Sequence, residues 1–187
     1  MNKVIETIMN RRSVRFYDAK PIPEDILKTI IDSGNAAPSG MNKQSWRFVV
    51  VQGKTFKDKL MSLAIPRYRK WKEKASQEFN DTRKEIEAAT NDPVYYNAPV
   101  IIFVIGSGDT SDFDTPLVCQ NIMLAARSLD IGSCWVYFGQ LPLDDVEIQK
   151  ELEIQEGEKV YGPILLGYPK GNFPQSPQKK EPKIKWI

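Results

Sequence analysis

The chain has 187 residues, 41% of them hydrophobic and 27% charged, a composition typical of one globular domain with a single sizeable core. Its 26 lysines and arginines against 24 aspartates and glutamates leave a formal net charge of +2, which gives no electrostatic reason to expect a nucleic acid or an acidic membrane as partner. The count of zero histidines excludes a Ser-His-Asp triad, an H-E-x-x-H zinc site and any Cys/His zinc module, so difficult chemistry would reside in a cofactor.

The N-terminal residues and the two cysteines bear on location and redox chemistry. The sequence MNKVIETIMNRRSVRF lacks the apolar run of a signal peptide, and no segment approaches the roughly 20 apolar residues of a membrane span. Cys119 and Cys134 form neither a metal-ligand spacing nor a disulfide framework, so they are interpreted as small buried hydrophobes. We therefore expect a cytoplasmic protein without a metal site.

The N-terminal half predicts helices around one strand. In order, these are an amphipathic helix at 4–9, a helix from Pro23 to about Gly34, a turn-rich loop at 35–45, a buried strand at 46–52 closed by Gly53 and a helix carrying Phe56, Leu60 and Leu63. The charged stretch from Pro66 to about Asn91 is helical in pattern but has a weak core face. It predicts a peripheral helical excursion or lid, with bounds of about 64–92.

The C-terminal half alternates strands and helices before an irregular tail. The predicted elements are a buried strand within NAPVIIFVIGS, a central apolar helix at 115–129 ended by Gly132, a short strand at 133–138, an amphipathic helix at 141–152 and a strand at 159–169. Residues 170–187 cannot form a core of their own, yet they end in apolar side chains, so this arm either frays or docks, with a partner subunit as a candidate. The pattern predicts one domain over 1–187 of α/β or α+β class.

Two polar clusters could carry chemistry. Arg11-Arg12-Ser13-Val14-Arg15 could bind a phosphate bidentately, or its cations could simply offset the dipole at the end of the first helix. The loop from Ala37 to Trp46 combines a rigid turn, a hydroxyl, a glycine and two side-chain amides, and it is longer than a plain helix–strand connection requires. A third feature, Gly106-Ser107-Gly108, does not complete the dinucleotide-binding pattern and predicts a tight turn instead.

These clusters stand in an order that resembles the nitroreductase family. The stretch RRSVRFYDAKPIPEDILKTIIDSGNAAPSGMNKQSWRFVVV is similar to the family's N-terminal signature, in which R-[RH]-S-x-R leads through a Pro-rich turn and a helix into A-P-S-x-x-N-x-Q-P-W and a strand. The later segments YYNAPVIIFV, QNIMLAARSLDIGSCWV and YGPILLGYP, and a Lys-rich tail, agree in order and spacing. The resemblance covers nearly the whole chain apart from about 64–92.

The resemblance implies a fold, a cofactor and an assembly. The family fold is an α+β arrangement of three layers, in which helices wrap a small, mostly antiparallel sheet. Two such chains form an intertwined homodimer that holds two FMN molecules at its interface. The implied activity is transfer of hydride from NADH or NADPH through flavin N5 to small acceptors such as nitroaromatics or quinones, in a two-step exchange at one site.

Carried over residue by residue, the resemblance implies these cofactor-binding positions: Arg11, Arg12, Ser13 and Arg15 near the FMN phosphate, ribityl chain and ring edge; Pro38, Ser39, Gly40, Asn42 and Gln44 reaching FMN from the other subunit; Trp135, Val136 and Tyr137 beside the flavin; and Lys179 or Lys180 at the phosphate. No residue of the chain is implied as nucleophile, and Arg15 would tune the charge of the reduced flavin. The chain departs from the pattern at Ser45, where the family usually has Pro, and in a tail with lysine where arginine is common.

Other functions fit parts of the same pattern. A flavin-binding sensor or reservoir without turnover would use the same cofactor site, and a reductive dehalogenase or flavin-fragmenting relative would use the same fold. The 64–92 segment would discriminate among the enzymes, but its role cannot be inferred from its residues.

Overall fold

A four-stranded antiparallel sheet lies at the centre of the structure, a computed structural model that describes residues 2–187. The strands are β1 (Trp46–Val51), β2 (Val100–Gly106), β3 (Gly132–Trp135) and β4 (Lys159–Gly167). Their order across the sheet is β1-β2-β4-β3, so the N-terminal strand and the shortest strand form the two edges. In register, Trp46 of β1 faces Gly106 of β2, and Ser133 of β3 faces Leu166 of β4.

Six helices surround the sheet. They are α1 (Lys3–Asn10), α2 (Glu24–Asn35), α3 (Lys54–Lys72), α4 (Gln77–Ala89), α5 (Ser111–Ser128) and α6 (Val146–Glu151). Short 3₁₀ turns span Gly40–Asn42 and Tyr137–Gln140. Beyond β4, residues 172–187 contain no helix or strand.

The core is divided by the sheet into two apolar clusters, because side chains alternate between the two faces of a strand. On β2, Ile101, Phe103 and Ile105 join the cluster beneath α3 and α6. Ile102 and Val104 join the cluster beneath α2 and α5 on the opposite face. This helix–sheet–helix arrangement confirms the α+β fold of three layers.

Most predicted elements are present, with differences at their edges. Strand β1 is only half-buried along most of its length, because it lies at the edge of the sheet rather than within it. The helix predicted at 141–152 shortens to α6, because Asp145 caps it by accepting the N–H groups of Glu147 and Ile148. Helix α5 ends at Ser128, before the predicted stop at Gly132.

The segment about 64–92 forms the second half of α3 and all of α4, and it contacts the core at a few positions. Helix α3 continues through Pro66 to Lys72, so the proline does not end it. Tyr68 of α3 and Arg83 of α4 are buried, and Phe79 and Ile86 pack against the first core cluster. Helix α4 nevertheless has a weak core face, since Arg83 is its single buried residue, and the interpretation of about 64–92 as a lid stays a prediction.

The glycine turn after β2 has the predicted role. Gly108 takes a positive φ of 78°, and α5 begins three residues later. At Gly106, a Cβ would lie 2.3 Å from the hydroxyl of Thr115, so only glycine allows α5 to approach the strand this closely. A dinucleotide fold needs parallel strands here, whereas every strand pair in this sheet is antiparallel.

Both cysteines are buried and free, as predicted. Across residues 2–187, no helix is both long enough and apolar enough to cross a membrane.

Candidate functional site

The arginine cluster lies along the edge strand β3. The backbone N–H of Val14 donates to the carbonyl of Ser133 at 2.9 Å, and Ser13 forms a parallel bridge with the same residue. Val14 is buried against Gly132. Because alternate side chains of an extended segment point in opposite directions, Ser13 and Arg15 are turned away from the core that Val14 enters.

The arginines follow α1 rather than forming its last turn. That turn contains no basic residue, and Arg11 is the C-cap, with extended backbone (φ −64°, ψ 129°). The helix dipole falls off within the last turn, so dipole compensation does not account for Arg12 and Arg15.

The C-terminal arm leaves the sheet beside this segment. Tyr17 bridges Pro169 in antiparallel fashion, and the N–H of Lys170 donates to the carbonyl of Phe16 at 2.9 Å. Further along, the Arg127 guanidinium stacks over the Phe173 ring at 4.1 Å from its centroid. These contacts direct the next residues of the arm back over the arginine cluster.

A cavity of about 390 Å³ lies between the arginine cluster and the arm. Its polar walls are Arg11, Arg12, Ser13, Arg15, Gln175, Ser176 and Lys179. The buried Nε atoms of Arg12 and Arg15 have no hydrogen-bond partner among residues 2–187. A buried cationic donor without an acceptor is costly, so this cavity is suited to an anion with several oxygens.

A second cavity of about 400 Å³ shares Arg15 with the first. It is lined by Cys134, Trp135, Val136 and Tyr137, which run from the end of β3 into the following 3₁₀ turn. The N–H of Val136 already donates to the carbonyl of Pro163 at 3.0 Å, which fixes this backbone. The two cavities thus place a cationic end and an aromatic end on either side of Arg15.

Cys134 lies in the second cavity but has the properties of a packing residue. Burial raises the pKa of its thiol, although Arg15 opposes that shift. Cys119, within α5, is fully buried, and burial raises its pKa to about 12. Neither thiol carries the thiolate character that nucleophilic or redox chemistry near neutral pH requires.

The loop containing Pro38, Ser39, Gly40, Asn42 and Gln44 lines neither of these cavities. It is anchored instead to the start of α5, where the Asp114 carboxylate accepts the N–H of Gly40 at 3.2 Å. Within the loop, the Ser39 hydroxyl accepts the N–H of Gln44 at 3.0 Å. Within one chain, the structure therefore brings the arginine cluster, the Trp135–Tyr137 segment and Lys179 together, but not this loop.

The same loop holds three residues in the left-handed region. Met41, Asn42 and Gln44 have φ values of 53°, 55° and 49°. Such a conformation is uncommon for residues other than glycine and costs of the order of 1 kcal/mol each. Met41 is 85% exposed, so the strain presents this loop outward, away from its own core.

Helix α4 completes the second cavity, with residues that the motifs did not identify. These are Phe79, Thr82, Arg83 and Ile86, together with Tyr96 and Phe138. The only sequence signal was the spacing of Phe79, Arg83 and Ile86 on one helical face. Lys180, unlike Lys179, is not part of the lining of either cavity.

Comparisons with known proteins identify the family of the chain. The nitroreductase family profile matches residues 8–168. A putative NADH dehydrogenase/NAD(P)H nitroreductase of Methanothermobacter thermautotrophicus is 30% identical over 177 residues, covering 90% of this chain and 78% of the relative.

Two solved structures show the same fold. The crystal structure of a nitroreductase with bound FMN from Bacteroides fragilis is 32% identical, covers 100% of both chains and superimposes with a TM-score of 0.80. An oxidised iodotyrosine deiodinase bound to FMN and 3-iodo-L-tyrosine superimposes with a TM-score of 0.82 over 98% of each chain, but at 21% identity it shows the fold alone.

Proposed function

The chain belongs to the nitroreductase family, and we propose that its arginine cluster, arm and Trp135–Tyr137 segment form the FMN site of an NAD(P)H-dependent flavin oxidoreductase. The observation that carries this proposal is the pair of buried, unpartnered Nε atoms of Arg12 and Arg15 beside adjoining cavities. FMN has a phosphate and a ring with carbonyl oxygens. Both groups accept hydrogen bonds, so either could serve as the missing partner of these donors.

The residues fit FMN from one end to the other. Arg11, Arg12 and Lys179 offer positive charge to the phosphate, and Ser13 adds a hydroxyl. Arg15 lies where the two cavities meet, so it can donate to the electron-rich edge of the ring. The backbone of Trp135–Tyr137 is held rigid beside the same space by the bond from Val136 to Pro163.

When bound, FMN supplies reversible two-electron chemistry between a reduced nicotinamide and an acceptor. The contribution of the chain is to bind, orient and stabilise charge. Arg15 would stabilise the negative charge that develops at the ring edge on reduction, because its guanidinium places a positive charge beside that edge. A backbone N–H of the Trp135–Tyr137 segment would donate to flavin N5, the atom that takes up the hydride.

Donor and acceptor use one position in turn. Tyr137 is 72% exposed at the mouth of the second cavity, which leaves a flat aromatic approach from solvent. Nicotinamides, nitroaromatics and quinones share that planar shape, so one slot accommodates each of them. This is the basis for expecting a two-step exchange at a single site.

A homodimer would complete the site. The apolar residues of α1 remain uncovered in the single chain, with Val4 68% exposed, and the arm ends in Trp186, which is 88% exposed. No residue of α1 is buried despite its strongly one-sided apolar pattern. A second copy covering these surfaces would also bring the outward-facing loop that contains Asn42 and Gln44 to its partner's flavin.

The test is visible absorption of the purified protein with added FMN, followed by anaerobic titration with NADH and then NADPH. We expect a yellow protein that one or both nucleotides bleach, and that nitrobenzene or a quinone recolours. A protein that stays colourless with excess FMN would contradict the proposal. Bound flavin that neither nucleotide reduces would favour a sensor or reservoir instead.

A further inference from the structure

Arg83 of α4 is a buried cation on the wall of the second cavity. It lies in the segment about 64–92, which the family motifs do not cover. Its exposed fraction is 8%, and the residue lines the same cavity as Arg15 and Trp135. Half of the other lining residues are aromatic, namely Phe79, Tyr96, Tyr137 and Phe138. The second cavity therefore has two cationic lining residues, Arg15 and Arg83.

Arg83 has neutral hydrogen-bond partners but no counter-ion. Its Nε donates to the Tyr68 hydroxyl at 3.1 Å, one Nη donates to the Tyr96 hydroxyl at 2.6 Å, and the other donates to the carbonyl of Pro93. Among residues 2–187, no aspartate or glutamate forms an ion pair with it. A buried charge without a counter-ion is unfavourable, so an anion in the cavity would stabilise it.

Glu87 of α4 does not act as the counter-ion of Arg83. Glu87 pairs with Lys72 and accepts the hydroxyl proton of Tyr68 at 2.6 Å. Burial, reinforced by Glu87, raises the pKa of Tyr68 to about 12, so this tyrosine remains protonated and keeps donating to Glu87. Glu87 therefore forms no ion pair with Arg83, although the charge of Arg83 is among the causes that lower the pKa of Glu87, after its hydrogen bonds to Lys72 and Tyr68.

Two N–H groups of Arg83 remain for a ligand. A guanidinium carries five donors, and the three contacts above use three of them. One N–H remains on each Nη, and a guanidinium can bind the two oxygens of a carboxylate through such a pair. The Tyr96 hydroxyl accepts from Arg83 and so keeps its own proton for an acceptor in the cavity.

The position of Tyr96 is set by a turn that holds it firmly. The fully buried Asp92 carboxylate accepts the N–H groups of Val94, Tyr95 and Asn97 at 3.1, 2.8 and 3.0 Å. This network holds Tyr96 in the left-handed region, with a φ of 55°. Backbone strain of this kind, held in place by surrounding hydrogen bonds, is typical of residues at ligand-binding sites.

We propose that Arg83 and Tyr96 form an anion-recognition site that selects aromatic acceptors bearing a carboxylate. The aromatic walls hold the ring, and the Arg83 fork holds the carboxylate at the α4 side of the cavity. The inference rests on the proposed flavin site, since it places the acceptor in the cavity that Arg15 and Trp135 share with the cofactor. Arg83 is a specificity residue, and transfer of electrons does not depend on it.

The experiment compares benzoate with benzamide, which has the same shape without the charge. Dissociation constants are measured on the FMN-loaded protein from the absorbance change of bound flavin. Quenching of tryptophan emission gives the corresponding constants for the flavin-free protein, because Trp135 lines the cavity. The variants are Arg83→Gln and Arg83→Lys, with Lys84→Gln as the control, because Lys84 is the neighbouring exposed cation on α4 and lines neither cavity.

We expect Arg83→Gln to weaken benzoate binding tenfold or more, about the value of a hydrogen bond to a charged group, and to change benzamide binding less than about threefold. Arg83→Lys should retain part of the preference, because it keeps the charge but loses the fork. Lys84→Gln should behave as the wild type. The KM for 4-nitrobenzoate should rise in Arg83→Gln, with little change for 4-nitrobenzamide.

Three results would overturn the inference. They are a wild type that binds benzoate no more tightly than benzamide, an Arg83→Gln variant that loses both ligands equally, and a variant that loses FMN while keeping its preference for benzoate. If Arg83→Gln fails to fold, Arg83→Lys carries the same comparison. A wild type that binds no FMN would instead count against the proposed function, and the fluorescence titration would still judge the anion site.

Discussion

The N–H of Val14 donates to the carbonyl oxygen of Ser133 at 2.9 Å, and this bond joins the arginine segment to the strand that continues into Trp135. The cationic and aromatic walls of the candidate site are therefore parts of one hydrogen-bonded edge. A change at that edge should disturb both cavities together.

Gly132→Ala tests this relationship. A Cβ at position 132 would lie 2.9 Å from side-chain atoms of Val14, so Val14 and the adjoining arginines must shift. We expect a loss of roughly 1–3 kcal/mol in the free energy of unfolding, as for other overpacked cores, and weaker FMN binding. Gly53→Ala, where no atom lies within 4 Å of the new Cβ, should cost less than about 1 kcal/mol in urea denaturation. Equal effects of the two changes would refute the argument.

Lys179→Ala and Lys180→Ala form a matched pair in the arm. Lys179 lines the phosphate side of the first cavity and Lys180 does not, so only the first change should raise the dissociation constant for FMN. We expect an increase of about two- to fivefold, corresponding to an exposed ion pair. Fluorescence titration at two salt concentrations measures it, and the difference should shrink at high salt because screening weakens the wild-type contact. A larger effect at Lys180 would rule out the placement of the arm.

A mixed dimer tests whether the loop serves the partner's flavin. One variant carries Arg12→Gln and Arg15→Gln, and the other carries Asn42→Ala and Gln44→Ala. Each alone should bind FMN poorly. After co-expression and purification with two tags, the mixed dimer should bind close to one FMN, because one of its two sites then combines an intact cluster with an intact loop. Recovery of no binding would show that each loop acts within its own subunit.

The buried thiols predict a pH dependence of stability. The pKa of Cys119 is raised from its ordinary value of 9.0 to about 12 by burial, so the folded state keeps the thiol neutral while the unfolded state ionises it. Stability should therefore fall as the pH rises above about 9, by about 1.4 kcal/mol between pH 8 and pH 10. Cys119→Ala should reduce that slope in urea unfolding. Rapid modification of the native protein by iodoacetamide at pH 8 would be inconsistent with this picture.

Some parts of the fold and of the candidate site could be predicted from the sequence, and others could not. The core strand β2, the central helix α5 and the amphipathic α1 followed from local periodicity, because a run of apolar residues determines which faces must be buried. The arginine segment and the loop could be recognised by residue type and order. Whether the arginines belong to a helix end or to a strand edge could not, since that depends on the pairing of Val14 with a strand far along the chain.

By itself, the sequence determined the fold class, the family and the chemical nature of the cofactor. These follow from short motifs, and the order of the motifs can be read directly from the linear sequence. The tertiary structure decided what lies beside what. It brought Lys179 rather than Lys180 to the cavity, turned the loop with Asn42 and Gln44 outward, and buried Arg83 between two tyrosines. Those outcomes depend on contacts between residues distant in the chain, and helical or strand periodicity carries no information about such contacts.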